Sequence, residues 1–117
     1  VDNWKPTMNA HVKIVGVVGA LLLSTWVSQG ADVKELWTKN CASCHGPDGQ
    51  GKTKAGKLAG VVDLTDAKVQ EKFTDDQMFK AVKEGVKEKD KTKMKPAERL
   101  TDKEISKLIA HVRTLKR

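Results

Sequence analysis

The sequence has no tyrosine, two phenylalanines, two cysteines, and only three arginines among its 22 basic residues. Scarce arginines and aromatics argue against a nucleic-acid-binding protein, which uses such side chains to contact phosphates and bases. A second cysteine pair, which would complete a four-ligand zinc site, is also missing. No segment alternates apolar and polar residues as strands do, so we predict an all-α fold. The net charge of +7 comes mainly from lysine and favours a basic docking face for an acidic protein or an anionic membrane.

The longest stretch without a charged residue is the 18-residue run from Ile14 to Ala31. Because the chain after this run is densely charged, we divide it into an N-terminal segment, residues 1–31, and a domain, residues 32–117. The apolar part, Ile14 to Val27, has the length of a signal-peptide core, and small residues near Gly30 could form a cleavage site. Cleavage there would release a soluble periplasmic domain, and this alternative stays open.

Two tryptophans favour a retained transmembrane helix instead. Trp4 and Trp26 are 22 positions apart, which in a helix is about 33 Å, so both indoles would lie near the membrane interfaces. Lys5 and Lys13 precede the apolar run and place the N-terminus in the cytoplasm by the positive-inside rule. We therefore expect a single-pass N-terminal membrane anchor, with residues 32–117 on the periplasmic side.

Helical spacing and capping boxes predict the elements of the charged domain, the boxes being Asp32 with Glu35, Thr74 with Gln77 and Thr101 with Glu104. The predicted helices run from Asp32 to about His45, from about Asp66 to Phe73, from Thr74 to Glu84, and from Thr101 to Leu115. The glycine-containing residues 46–63 and the lysine-rich residues 86–99 are predicted as loops. Short helices with few large apolar side chains do not make a sufficient core, and small domains of this kind are usually completed by disulfides, metals or a cofactor. We therefore expect a large apolar group that the sequence does not contain.

The motif "CASCH" accounts for such a group. Cys41, Cys44 and His45 occupy positions i, i+3 and i+4, which a helix places on one face. C-x-x-C-H is the signature of covalent haem attachment, in which two thiols bind the porphyrin edge and the imidazole reaches the iron. A zinc site would lack ligands, a thioredoxin-like redox pair would lack its strands, and a structural disulfide would leave the small core unexplained. The motif therefore predicts one covalent haem.

The charged domain resembles a class I cytochrome c. The resemblance is carried by "LWTKNCASCHGPDGQG", by "MKP" at residues 94–96, and by the closing helix "LTDKEISKLIAHVRTL". It implies a small class I cytochrome c fold around one haem c, with the first and last helices crossing. It also implies His45 and Met94 as the axial ligands of the iron, and hence an electron carrier and not an enzyme.

One departure from the family concerns the orientation of the proximal histidine. No proline occurs between Pro47 and Pro96 to offer the backbone carbonyl that this family commonly provides to that ring. What orients the His45 imidazole is therefore open.

The remaining methionines and histidines are interpreted without a role in iron binding. Met78 falls on the apolar face of its helix and is expected in the core. Met8 precedes the apolar run, and His11 is expected to be solvated or interfacial. His111 is expected to pack near the first helix.

The lysines around Met94 suggest a docking role. Seven lysines lie between Lys80 and Lys95, and positive charge there would steer an acidic partner toward the haem. Because only Ser28 to Ala31 separate the predicted anchor from the domain, we expect a haem held close to the membrane. The expected partner is a membrane electron-transfer complex, such as an oxidase, a cytochrome bc-type complex or a photosynthetic reaction centre, and no nucleic acid.

Three alternatives to this assignment remain open. The first is a soluble periplasmic electron shuttle produced by cleavage near Gly30. The second, of a different class, is a haem sensor or peroxidase-like domain with an open iron site, which requires that Met94 is not a ligand. The third is a haem domain with a purely structural role in a larger complex.

Overall fold

The structure is a computed structural model that describes the backbone of residues 29–117 and the side chains of residues 32–117. In chain order its elements are α1 Gln29–Asn40, α2 Ala42–His45, α3 Lys54–Ala59, α4 Ala67–Glu71, α5 Asp75–Glu84, β1 Val86–Glu88, β2 Lys91–Met94 and α6 Asp102–Thr114. The domain is therefore mostly helical, as predicted. The predicted membrane anchor lies outside the described residues, and no helix between residues 29 and 117 is long and apolar enough to cross a membrane.

Helix α1 begins earlier than the sequence predicted. It starts at Gln29, so Asp32 lies in its first turn and does not cap it. Glu35, expected to complete a capping box, instead forms an ion pair with Lys39 at 2.6 Å. Of the connection predicted at Ser28 to Ala31, residues 29–31 are helical, and Ser28 lies outside the described residues.

Helices α1 and α6 pack against each other, as the family resemblance implied. Their contact is a buried cluster of Trp37, Leu108 and Val112. The capping box predicted at the start of α6 is confirmed, with Thr101 N donating to Glu104 Oε2 at 2.8 Å and Glu104 N donating to Thr101 Oγ1 at 3.2 Å. The hydrogen bonds from Thr101 hold the pKa of Glu104 below its ordinary value.

The end of α6 also holds the shorter helices in place. Thr74 caps α5 through the predicted capping box with Gln77. The Arg113 guanidinium donates to Asp75 Oδ1 at 2.8 Å and to the carbonyl oxygens of Gln70 and Phe73 at 2.7 Å. These contacts connect α6 with both α4 and α5.

One predicted loop contains a helix. Within residues 46–63, Thr53 caps α3 by accepting a hydrogen bond from Gly56 N at 2.9 Å, and Gly60 ends it in the left-handed conformation. Gly56 packs so closely on the preceding helix that a Cβ there would lie 2.2 Å from Cys44 O. Tertiary packing therefore requires glycine at position 56, although glycine lowers the helix propensity of this segment.

A second predicted loop contains a β-hairpin. Strands β1 and β2 pair antiparallel, with Val86 opposite Met94. The two turn residues, Lys89 and Asp90, both have positive φ, 46° and 63°, as a two-residue turn between twisted strands requires. All of β1 and the first half of β2 are exposed. Because neither strand has a fully buried face, their sequences do not alternate apolar and polar residues, and the strands were not predicted.

Candidate functional site

The first cysteine lies at a break between two helices, and the second lies within α2. Helix α1 ends at Asn40, and Cys41 has non-helical φ and ψ of −124° and −38° at the N-cap of α2. The carbonyl of Cys41 accepts hydrogen bonds from Cys44 N at 3.3 Å and His45 N at 2.9 Å. The i, i+3, i+4 arrangement is thus kept by one short turn. The prediction of a single helix through the motif is wrong, because the backbone of Cys41 leaves the helical conformation.

All four predicted site residues line one cavity of about 960 Å³. Cys41 reaches it from the N-cap of α2, Cys44 and His45 reach it from α2 itself, and Met94 reaches it from the end of β2. Its apolar lining comes mainly from Val61, Val62, Val82, Val86, Pro96 and Leu100. This is the space that the undersized core led us to expect.

Burial sets the chemical state of the motif. Both cysteines are free thiols, and desolvation raises the pKa of Cys41 to about 11. Desolvation also lowers the pKa of His45, which favours the neutral imidazole that can bind a metal. His45 Nδ1 is buried, and no atom of the described residues hydrogen-bonds to it.

These features fit a haem better than a bare metal ion. Two free thiols one turn apart, a buried imidazole, a thioether and apolar walls surround a single cavity. Among residues 32–117, no three His, Cys, Asp or Glu side chains come together as they would around a bare ion. The donor set therefore suits a large apolar group that carries its own metal.

Several supporting contacts were not predicted from the sequence. Thr53 Oγ1 donates to Cys44 O at 2.9 Å, and Gly51 N donates to His45 O at 2.7 Å. Trp37 Nε1 donates to Gly46 O at 2.9 Å within the protein interior. Threonine is a common N-cap residue, so Thr53 could have been predicted to cap α3. Nothing in the local sequence shows that the same hydroxyl also bonds to the Cys44 carbonyl in α2.

The other methionine and histidine of the described domain lie where the sequence predicted. Met78 packs against the cluster of Trp37, Leu108 and Val112. The His111 ring lies 5.3 Å from the Trp37 ring, centroid to centroid. Met8 and His11 lie outside the described residues.

Known proteins share both this sequence pattern and this fold. The family model for cytochrome c matches residues 30–116. The solved structure named KustC0563 c-type cytochrome is 33% identical, with a TM-score of 0.64, and the match covers 72% of this chain and 96% of that chain. A Kustc0563 mutant is 34% identical, with a TM-score of 0.63 and coverage of 73% and 99%. No curated protein matches. The chain belongs to the cytochrome c family, whose domain binds a covalently attached haem c with iron and transfers electrons, and Cys41 and Cys44 fit the attachment motif.

Proposed function

We propose that Cys41 and Cys44 attach the haem, that His45 and Met94 ligate its iron, and that the chain relays one electron at a time at a membrane. The observation that carries this proposal is the single cavity that all four side chains line, although Met94 is 49 residues away from His45. The bound haem supplies an iron that accepts and releases one electron. Such a protein is a carrier and not an enzyme.

The chain's own residues determine how this centre would behave. Valine, proline and leucine side chains form the apolar part of the cavity lining, and a thioether from Met94 favours the electron-rich, reduced iron. The backbone of the motif is held by hydrogen bonds to the carbonyls of Cys41, Cys44 and His45. A rigid site of this kind needs little rearrangement when the charge on the iron changes.

The covalent attachment is tested by the double variant Cys41→Ser, Cys44→Ser. We expect the intact mass of the purified wild-type chain to include one haem, which acid and organic solvent do not extract. The double variant has no thiol to form thioethers, so its mass should be that of the polypeptide alone, and any haem should be extractable. A variant that keeps a covalent haem would contradict the assignment, and Ser43→Ala serves as the control within the same turn.

The lysines of the hairpin that ends at Met94, together with Lys95, supply the positive charge for docking. Lys87, Lys93 and Lys95 line the cavity. Lys93 is paired with Glu88 at 3.6 Å. The ammonium groups of Lys87, Lys89, Lys91 and Lys95 form no ion pair with any carboxylate of residues 32–117. Uncompensated positive charge next to the site supports an acidic docking partner.

The membrane part of the proposal rests on the uncharged run from Ile14 to Ala31. Residues 29–31, at the end of that run, already belong to helix α1, which supports a haem domain close to the membrane, and Lys5 and Lys13 before the run favour its periplasmic side. The partner would then be an adjacent membrane oxidase, cytochrome bc-type complex or photosynthetic reaction centre.

The anchor is tested on protein purified from detergent-solubilised membranes. We expect the intact mass to include residues 1–30 and a redox complex to copurify. A mature chain without these residues, recovered from the soluble fraction, would contradict the anchor and support a soluble electron shuttle.

A further inference from the structure

The orientation of the His45 ring has an unusual basis in this chain. A histidine that binds a metal almost always donates its second ring N–H to a carboxylate, a carbonyl or water, which fixes the ring. His45 Nδ1 is buried, and within residues 32–117 it has no hydrogen-bond partner. Among the described residues, the imidazole is therefore held by contacts other than a hydrogen bond to Nδ1.

Trp37 provides the strongest candidate for that contact. Its side chain is 4% exposed, and its ring lies 6.0 Å from the His45 ring with 44° between the planes, within the range of favourable aromatic pairs. Its Nε1 donates to Gly46 O at 2.9 Å. The same side chain thus packs on the imidazole and bonds to the residue that follows it.

The backbone around His45 makes this hydrogen bond consequential. Gly46 has a φ of 82°, and its N–H donates to Ala42 O at 2.9 Å. His45 O accepts from Gly51 N at 2.7 Å. The indole adds the only described side-chain bond to Gly46 O and so fixes the chain immediately after the histidine.

We propose that Trp37 is the positioning residue for His45, acting through the hydrogen bond from its indole N–H to Gly46 O and through ring packing. This inference rests on the proposed role of His45 as an iron ligand. A phenylalanine at position 37 would keep much of the packing but leave Gly46 O with only the longer backbone hydrogen bond from Gly49 N, at 3.2 Å, and the loss of a buried hydrogen bond is costly. The indole N–H therefore supplies a hydrogen bond that the ring of phenylalanine cannot supply.

The test uses the haem-loaded full chain with Trp37→Phe. The shifts of the haem methyl protons in the oxidised, paramagnetic protein depend on the orientation of the ligand ring, so we expect their pattern to change. We also expect amide exchange at Gly46 and Gly51 to become about fivefold faster, the factor that corresponds to a typical lost hydrogen bond. An unchanged pattern of methyl shifts would overturn the proposal.

One control separates the positioning of His45 from a general loosening of the core. Val112→Ala weakens the same buried cluster but keeps the indole N–H, so it should lower the melting temperature and leave the methyl shifts in place. An equal change in shifts for Val112→Ala would overturn the proposal. Where Trp37→Phe does not fold, replacement of Trp37 by 3-benzothienylalanine, which has sulfur in place of the indole N–H, gives the same test.

A separate variant distinguishes this inference from the proposed function beneath it. If His45→Gln leaves the wild-type methyl shifts unchanged, His45 is not the ligand, and both proposals fail. If His45→Gln changes the shifts and Trp37→Phe does not, only the positioning role of Trp37 fails.

Discussion

Replacing Met94 with alanine is expected to abolish the absorption band that methionine-to-iron bonding gives the oxidised protein. The thioether favours reduced iron, so its loss should also lower the reduction potential by on the order of 0.1 V. Removal of the side chain opens a coordination position, and carbon monoxide should then bind readily to the reduced variant. Absorption spectra, a redox titration and carbon monoxide binding measure the three effects.

Met78→Leu is the matched control for this experiment. Met78 packs against the buried cluster of Trp37, Leu108 and Val112, and exchange of methionine for leucine conserves its volume. This variant should keep the band and the potential of the wild type. If Met94→Ala kept the band, the assignment of the second ligand would be wrong. If the wild-type protein itself bound carbon monoxide readily, a haem sensor or a peroxidase-like domain would be favoured over an electron carrier.

Removing three hairpin charges, with Lys87→Gln, Lys91→Gln and Lys95→Gln combined, is expected to slow electron transfer to an anionic partner about tenfold at low ionic strength. These three ammonium groups form no ion pair with the described carboxylates, so they remain available to attract an approaching anion. Salt screens this attraction, and the variant and the wild type should converge at high ionic strength. Stopped-flow oxidation by ferricyanide, and by any copurified complex, measures the rates.

A second triple variant removes equal charge away from the site. Lys68, Lys72 and Lys103 are exposed and do not line the cavity, so their replacement by glutamine should change the rates much less. Equal effects of the two variants would show that net charge alone matters. Rates for the wild type that do not fall as salt rises would contradict the docking proposal.

Local signals in the sequence were sufficient for the cofactor and for much of the helical frame. The C-x-x-C-H motif depends on residues within a single turn, and its chemistry follows from their identity and spacing. The starts of α4, α5 and α6 follow from Asp66, Thr74 and Thr101, because a capping side chain bonds to amides two or three residues away. Each of these predictions uses interactions that are close in the sequence.

Long-range packing decided the rest. Position 56 requires glycine because Cys44 O leaves no room for a side chain, and β1 and β2 form although neither has a fully buried face. Position 94 lines the same cavity as position 45 although the two are far apart in the chain, and the segment after the hairpin is held to α5 by the hydrogen bond from Ala97 N to Val82 O at 2.9 Å. The sequence by itself determined what the chain binds, since attachment needs only adjacent groups. The tertiary structure alone decided which distant side chains surround that group, since their positions depend on contacts between elements far apart in the chain.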